Sequence, residues 1–436
     1  MTRRSLGILA LGVFVAGAFL TPALFPPSRT AVAQAAAARK GYVGVFKDNV
    51  VAVLDLDANR VVTTIPVPPG PHGLVVTADG RKAYVSSDGA SVVSVIDTAT
   101  DTIVRSIEVG ASPHGLAISR DGRRVLVAGF GSNEALVIDT ASDRVVTRVA
   151  IAQPHNSAFA ADGRTAFIGS QAQGAPAIVV IDVEEGKEIG RIALAKSPRA
   201  RDATADGRWL HVTLAGTDAV QVFDIATRQP AAQAVTGASP HISVIAPDGR
   251  TSMVVAQGPG MLEVVDTATN ARSGDVKVGR TPHWVAVSGD GHTAWVTNEG
   301  SNDVSVVDLT TRVVTATIPV GNAPRKIAVQ SATVAAAAVV KDVRALTRLE
   351  IEADDYYFKP AVLVGRPGQR LKLTVENESN TLHNLTIADQ KIDINVPPKK
   401  DVTVDVTFPA SGMIAFSCNL HAALGMRGRL DVATGR

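Results

Sequence analysis

An apolar residue followed by aspartate recurs seven times at near-constant spacing: Leu54-Asp55, Ile96-Asp97, Ile138-Asp139, Ile181-Asp182, Phe223-Asp224, Val265-Asp266 and Val307-Asp308. Successive steps are 42, 42, 43, 42, 42 and 42 residues. Self-similarity at a fixed period fixes the architecture before any local reading, because each unit must stack on its neighbours to bury its apolar face. Asp-Gly keeps step at 79, 121, 162, 206, 248 and 290, and that dipeptide favours a tight turn between strands. Between the turns, runs such as 83–87, 91–96 and 102–107 are dominated by β-branched residues, the pattern of short strands. With 115–118 opening the next unit, each repeat supplies four strands.

Four short strands every 42 residues or so describe the blades of a β-propeller, and seven anchors give seven blades. Tyr42 aligns with Tyr84, so the chain enters at the second strand of a blade. Residues 41–67 supply strands two to four, and the missing first strand is 326–329. Joining the two ends closes the ring and leaves no open blade edge. The repeat resembles the YVTN-type family of seven-bladed propellers over residues 41–330, on the run Trp295-Val296-Thr297-Asn298-Glu299-Gly300-Ser301-Asn302-Asp303-Val304-Ser305-Val306-Val307-Asp308. That resemblance implies a fold and little about function.

A second pattern runs with the repeat. Each blade opens on Pro71-His72, Pro113-His114, Pro154-His155, Pro198-Arg199, Pro240-His241, Pro282-His283 or Pro324-Arg325. Symmetry places these seven residues in one layer, just before the innermost strands, at a mouth of the central channel. Three readings stand: turn chemistry copied with the repeat, a positive site for an anion or polar substrate, or a metal site, with copper suited to imidazole. His211 and His292 fall elsewhere in the repeat and read as ordinary surface or strand residues.

Residues 331–347 break the repeat, and their alanines suggest a short helix or packed linker. From 348 to 436 short alternating strands return, at 349–352, 370–375, 385–387, 402–408, 412–416 and 428–432, separated by Gly- and Pro-bearing turns. The fold class expected is therefore all-β, a seven-bladed β-propeller followed by a Greek-key β-sandwich. Here lies the only cysteine in 436 residues, Cys418, with His421 three and Met426 eight positions on, and His383 upstream. Thiolate, two imidazoles and a thioether are the donor set of a mononuclear blue-copper site.

This segment resembles a plastocyanin-type cupredoxin over 349–432, on Tyr357-Phe358-Lys359-Pro360, Pro367-Gly368-Gln369, Thr381-Leu382-His383-Asn384 and the loop from Cys418 to Met426. The resemblance implies one type 1 copper per chain. Cys418, His383 and His421 would form the trigonal set and Met426 the long axial ligand, with Asn384 bracing the ligand loop near the sulfur. It also implies an exposed edge at His421 framed by Leu420, Ala422, Ala423 and Leu424, where a redox partner docks. The whole architecture is distantly similar to nitrous-oxide reductase, a propeller followed by a cupredoxin domain. Two of the seven ring positions are arginine here and there is one cysteine, so the architecture carries over and the activity does not.

The N-terminus reads as an export signal, residues 1–33: Arg3 and Arg4, an apolar run from Leu6 to Leu20, and Ala31-Val32-Ala33 before Gln34. Paired arginines suit either the general secretory or the twin-arginine route. Removing that segment shifts the formal charge from +2 to −1, since Arg3, Arg4 and Arg29 leave with it. No basic cluster points to nucleic acid, and no stable membrane span is expected after cleavage. The sequence therefore predicts a periplasmic or secreted electron carrier whose partner is a periplasmic redox protein or respiratory-chain component, with the propeller as docking or ligand-binding platform. Two alternatives stand beside it: a two-centre oxidoreductase with further copper or a substrate in the histidine ring, and a non-redox copper-binding or scaffold protein.

Overall fold

The computed structural model describes residues 39–204, 206–330, 340–354, 357–377, 382–420 and 426–432. The proposed signal segment and residues 331–339 lie outside these. No helix among the described residues is long and apolar enough to cross a membrane.

Seven four-stranded antiparallel sheets form the propeller. The first strands of the blades, from Pro71–Val76 to Pro324–Val329, pack against one another around a closed ring, so they are the innermost. Second and third strands are buried on both faces, whereas fourth strands such as Arg144–Ala150 alternate exposed and half-buried residues around one buried anchor, here Val149. Between blades the apolar faces interdigitate: Val75, Tyr84 and Val95 of one blade meet Leu116, Val127 and Leu136 of the next.

The ring closes as the repeat requires. Lys40–Val45 pairs antiparallel with Pro324–Val329, Tyr42 opposite Ala328 and Val43 opposite Ile327. Gln330 N–H donates to Lys40 O at 2.9 Å, and Asn322 Nδ2 donates to Asp48 Oδ1 at 2.8 Å.

The repeated aspartates owe their recurrence to turn chemistry. Asp266 Oδ1 accepts the backbone N–H groups of Ala268 and Thr269 at 3.1 and 2.8 Å, and Asp308 does the same for Thr310 and Thr311. These Asx turns satisfy the hairpin between third and fourth strands. A residue at positive φ follows in each, Asn59, Asp101, Asp143, Gly186, Arg228, Asn270 or Arg312. At two of them the same residue ties adjacent blades together. Asp101 takes Lys40 Nζ at 2.7 Å and Tyr42 Oη at 2.9 Å, and Asp143 takes Lys82 Nζ at 2.8 Å and Tyr84 Oη.

One position of the second strand carries a large buried side chain in every blade: Tyr42, Tyr84, Leu126, Phe167, His211, Met253 and Trp295. His211 is thus a strand residue that faces the core, and neither ring nitrogen has a hydrogen-bond partner among the described residues. Burial pushes its pKa down to about 4. The unfolded chain therefore takes up a proton near pH 6.5 that the folded chain refuses, so this group erodes stability as pH falls from 6.5 towards 4. The loss approaches about 3 kcal/mol. His211→Leu, matching Leu126 two blades earlier, is expected to raise the thermal midpoint at pH 4.5 more than at pH 8. An equal shift at both values would refute the assignment.

The second fold is a β-sandwich. A six-stranded sheet runs in the order Val340–Asp342, Val362–Gly365, Arg427–Val432, Met413–Ser417, His383–Ile387, Ile392–Val396, and a four-stranded sheet in the order Tyr357–Lys359, Arg348–Asp354, Arg370–Asn377, Lys400–Thr407. Residues 340–342, read from sequence as linker or helix, are an edge strand, and Val343 enters the core. The β-branched Val340 and Val343 outweigh the alanine signal there. Phe358 and Phe416 meet edge to face at 5.2 Å between the sheets, with Leu373, Leu385, Phe408 and Leu430 around them. Cys418 and Met426 belong to the same cluster.

Candidate metal centre

In the sandwich, strand His383–Ile387 lies beside Met413–Ser417, and Cys418 follows directly. His383, Cys418 and Met426 are fully buried. The backbone N–H of Asn384 donates to Cys418 Sγ at 3.2 Å, which places the residue after His383 against the sulfur. The N–H of Cys418 donates to Met426 O at 3.0 Å, so both ends of the loop are pinned together. His421 and the collar residues Ala422, Ala423 and Leu424 lie outside the described residues.

Asn384 does further work with its side chain. Its Oδ1 accepts the N–H of Asn419 at 3.2 Å and the hydroxyl of Thr386 at 2.6 Å, while Nδ2 donates to Asp393 Oδ1 at 2.6 Å. Hydrogen bonds from Asn384, then Thr386, hold the Asp393 carboxyl below its ordinary pKa. The sequence pointed to Asn384; Thr386 and Asp393 it missed, and only the alternation of Ile392, Ile394 and Val396 could have placed Asp393 on a strand facing Asn384. The donor set of buried sulfur, imidazole and thioether, with hydrogen bonding to the sulfur, fits a soft metal such as copper.

In the propeller, the seven ring residues are the second residues of the innermost strands rather than lying before them. The strand pairing skips at this position in every blade; Pro240 pairs with Ala256 and Ile242 with Val255, leaving His241 out of register. Such bulges re-aim a side chain. His72 and His114 ring centroids are 3.7 Å apart, His114 and His155 4.1 Å, His241 and His283 4.1 Å, and His72 and His283 5.7 Å. Gly73 permits the first of these approaches, since a Cβ there would collide with His114 O.

The ring is ordered in one sense around the channel. Nδ1 of His114, His155 and His241 lies 3.0, 3.0 and 2.8 Å from the carbonyl oxygen of the next ring residue, His155, Arg199 and His283. A carbonyl can only accept, so Nδ1 of His114 and of His241 carries the proton and their Nε2 a lone pair in the neutral imidazole, while His155 Nδ1 also lies 3.1 Å from the donating Asn156 Nδ2. Burial keeps them neutral: it pushes His155 to about 4 and His241 to about 3, and holds His72, His114 and His283 well below the usual imidazole range. Any positive potential at the ring therefore comes from its two arginines rather than from the imidazoles. The fixed charges are Arg199 and Arg325, and Arg325 is paired with Glu299 at 3.1 Å while donating to His283 Nε2 at 2.9 Å. Asp88, which the sequence did not single out, faces the ring: its Oδ2 is 3.8 Å from His114 Nε2, and burial pushes its carboxyl up to about 7.

A sequence profile of the YNCE-like β-propeller matches residues 29–118 and 154–335. The chain belongs to the YNCE-like β-propeller family. This family member also matches the cupredoxin-like domain profile over residues 327–432, which implies copper binding. No curated protein sequence matches it. Among solved structures, the YNCE-like chain is similar to Kuenenia stuttgartiensis hydrazine synthase at 22% identity and a TM-score of 0.56, covering 60% of this chain and 89% of that one. It is also similar to the dihydro-heme d1 dehydrogenase NirN at 18% identity and a TM-score of 0.51, covering 66% of this chain and 74% of that one. At these identities the likeness is one of fold.

Proposed function

We propose that the protein is an exported single-electron carrier, periplasmic or secreted, with one type 1 copper held by His383, Cys418, His421 and Met426. The observation that carries this is the Asn384 N–H on Cys418 Sγ at 3.2 Å, in a fully buried setting shared with His383 and Met426. Copper bound there supplies a one-electron couple. The protein's part is to hold the ligands fixed so that little moves when the charge changes. The Cys418–Met426 backbone bond and the Asn384 brackets do that. With every ligand position filled by side chains, the site suits outer-sphere transfer rather than substrate binding. Loading the full chain with Cu(II) should give one copper per chain at this site, an intense blue colour and reversible bleaching by ascorbate. Colourless binding would refute the reading.

The partner fits as a periplasmic redox protein or respiratory-chain component. Leu382 and Leu420, each next to a proposed ligand, are exposed, and electron-transfer encounters use small interfaces of this kind. Leu420→Asp should leave the blue colour and the melting midpoint nearly unchanged, but slow electron self-exchange between oxidised and reduced protein by about tenfold. An unchanged rate would remove Leu420 from the docking face. A second reading, a two-centre oxidoreductase, is favoured by one observation: Nδ1 of His114 and of His241 each meets a ring carbonyl oxygen, which leaves the Nε2 lone pair to ligate.

A further inference from the structure

We propose that His72, Asp88 and His114 bind one divalent transition-metal ion of the zinc, cobalt or copper class at the mouth of the propeller channel. One donor atom from each of the three lies within 4.8 Å of the others. Metal–ligand bonds of about 2.0–2.2 Å place neighbouring donors about 3.0–3.6 Å apart, so small side-chain rotations close the site. His114 Nε2 and Asp88 Oδ2, at 3.8 Å, are nearly there.

The electrostatics of that pair call for something between them. Nδ1 of His114 donates to His155 O, so Nε2 presents a lone pair to the Asp88 carboxylate. Two acceptors facing each other at that distance repel, and a cation or a proton between them relieves the repulsion. The other Asp88 oxygen, Oδ1, is buried with no hydrogen-bond partner among the described residues, an arrangement that costs free energy unless a ligand satisfies it. The His114–His155 bond is also the outer support that a metal-bound histidine requires, fixing tautomer and ring plane. Gly73 leaves room for the His72 ring to lie against that of His114, 3.7 Å between centroids at 39°.

Two imidazoles and one carboxylate leave coordination positions open, as in sites that act as Lewis acids rather than structural staples. Arg325 acts electrostatically on Asp88, His72 and His114. This site is independent of the copper reading, since it shares no residue with the sandwich.

The test uses the full-length chain carrying Cys418→Ser, which removes the thiolate, with Zn2+ as probe under equilibrium dialysis. One Zn2+ should remain tightly bound, its X-ray absorption fine structure showing imidazole and oxygen ligands without sulfur. Adding Asp88→Asn or His114→Gln should weaken it by about a hundredfold or more. Asp88→Asn preserves shape, so its melting midpoint without zinc checks that the fold survives. In the otherwise unmutated chain it should leave the copper colour as it was, which separates failure here from failure of the electron-carrier reading. No zinc bound by the Cys418→Ser chain, or equal affinity after Asp88→Asn, overturns the proposal and leaves a proton shared between Asp88 and His114.

Discussion

Replacing Cys418 by serine abolishes the blue colour of the copper-loaded protein and lowers its Cu(II) affinity by orders of magnitude, while the chain stays folded. Both halves of that expectation follow from where the residue sits. Intense colour in a type 1 site comes from a thiolate bound to copper, and Cys418 is the chain's only cysteine, so no other residue can replace it. Folding survives because serine is close to cysteine in size and its hydroxyl can still accept the Asn384 N–H that now reaches the sulfur. The cost is that of burying a hydroxyl in an apolar cluster beside Phe416 and Met426, about 1–3 kcal/mol at most. That acts on the sandwich core and leaves the seven blades alone. Absorption spectra and metal analysis of the purified variant decide the matter. A persistent blue colour would mean that the site has been wrongly assigned.

The propeller was legible from sequence because its information is redundant. Seven copies of the apolar–Asp anchor each report the same Asx turn, and the split blade announces itself through the alignment of Tyr42 with Tyr84. What the repeat hides is what differs between copies. His211 occupies a position filled elsewhere by Tyr, Leu, Phe, Met or Trp, which only comparison of the blades in space, or a position-by-position alignment of the repeats, reveals. Asp88 was missed for a related reason. It lies in the turn after the second strand of its blade, sixteen positions from His72 in sequence, and only the bulge at the ring residue swings the imidazoles towards it. The charge of the ring was not legible because burial, which decides whether an imidazole is protonated, is not a property of the sequence pattern. In the sandwich, long alternating strands such as Arg370–Asn377 were readable, whereas Tyr357–Lys359 and Val362–Gly365 are too short, and interrupted by Pro360, to show a period.

Asn384→Ala should lower copper affinity by about tenfold to a hundredfold and shift the colour and reduction potential, without removing the site. The side chain spans three elements: it accepts from Asn419 in the ligand loop, accepts from Thr386 on its own strand and donates to Asp393 on the next. Truncation leaves the Asn419 N–H beside the proposed ligand loop without its acceptor, and because Asn419 is exposed the loss is that of an ordinary hydrogen bond, about 0.5–1.5 kcal/mol. The loop then gains freedom at the residue directly after Cys418. The backbone N–H on the sulfur is untouched by the substitution, so the thiolate keeps its hydrogen bond and the blue transition persists in altered form. Asn384→Asp separates the two contributions. It retains an acceptor for Asn419 but loses the donor to Asp393 and sets two carboxylates against each other. It should therefore recover less of the affinity at pH 8 than at pH 5, where protonation relieves the repulsion. If Asn384→Ala matches the unmutated protein in affinity, colour and potential, the side chain is only packing, and the backbone bonds to Cys418, from its own N–H to Met426 O and from the Asn384 N–H to its sulfur, suffice to hold the site.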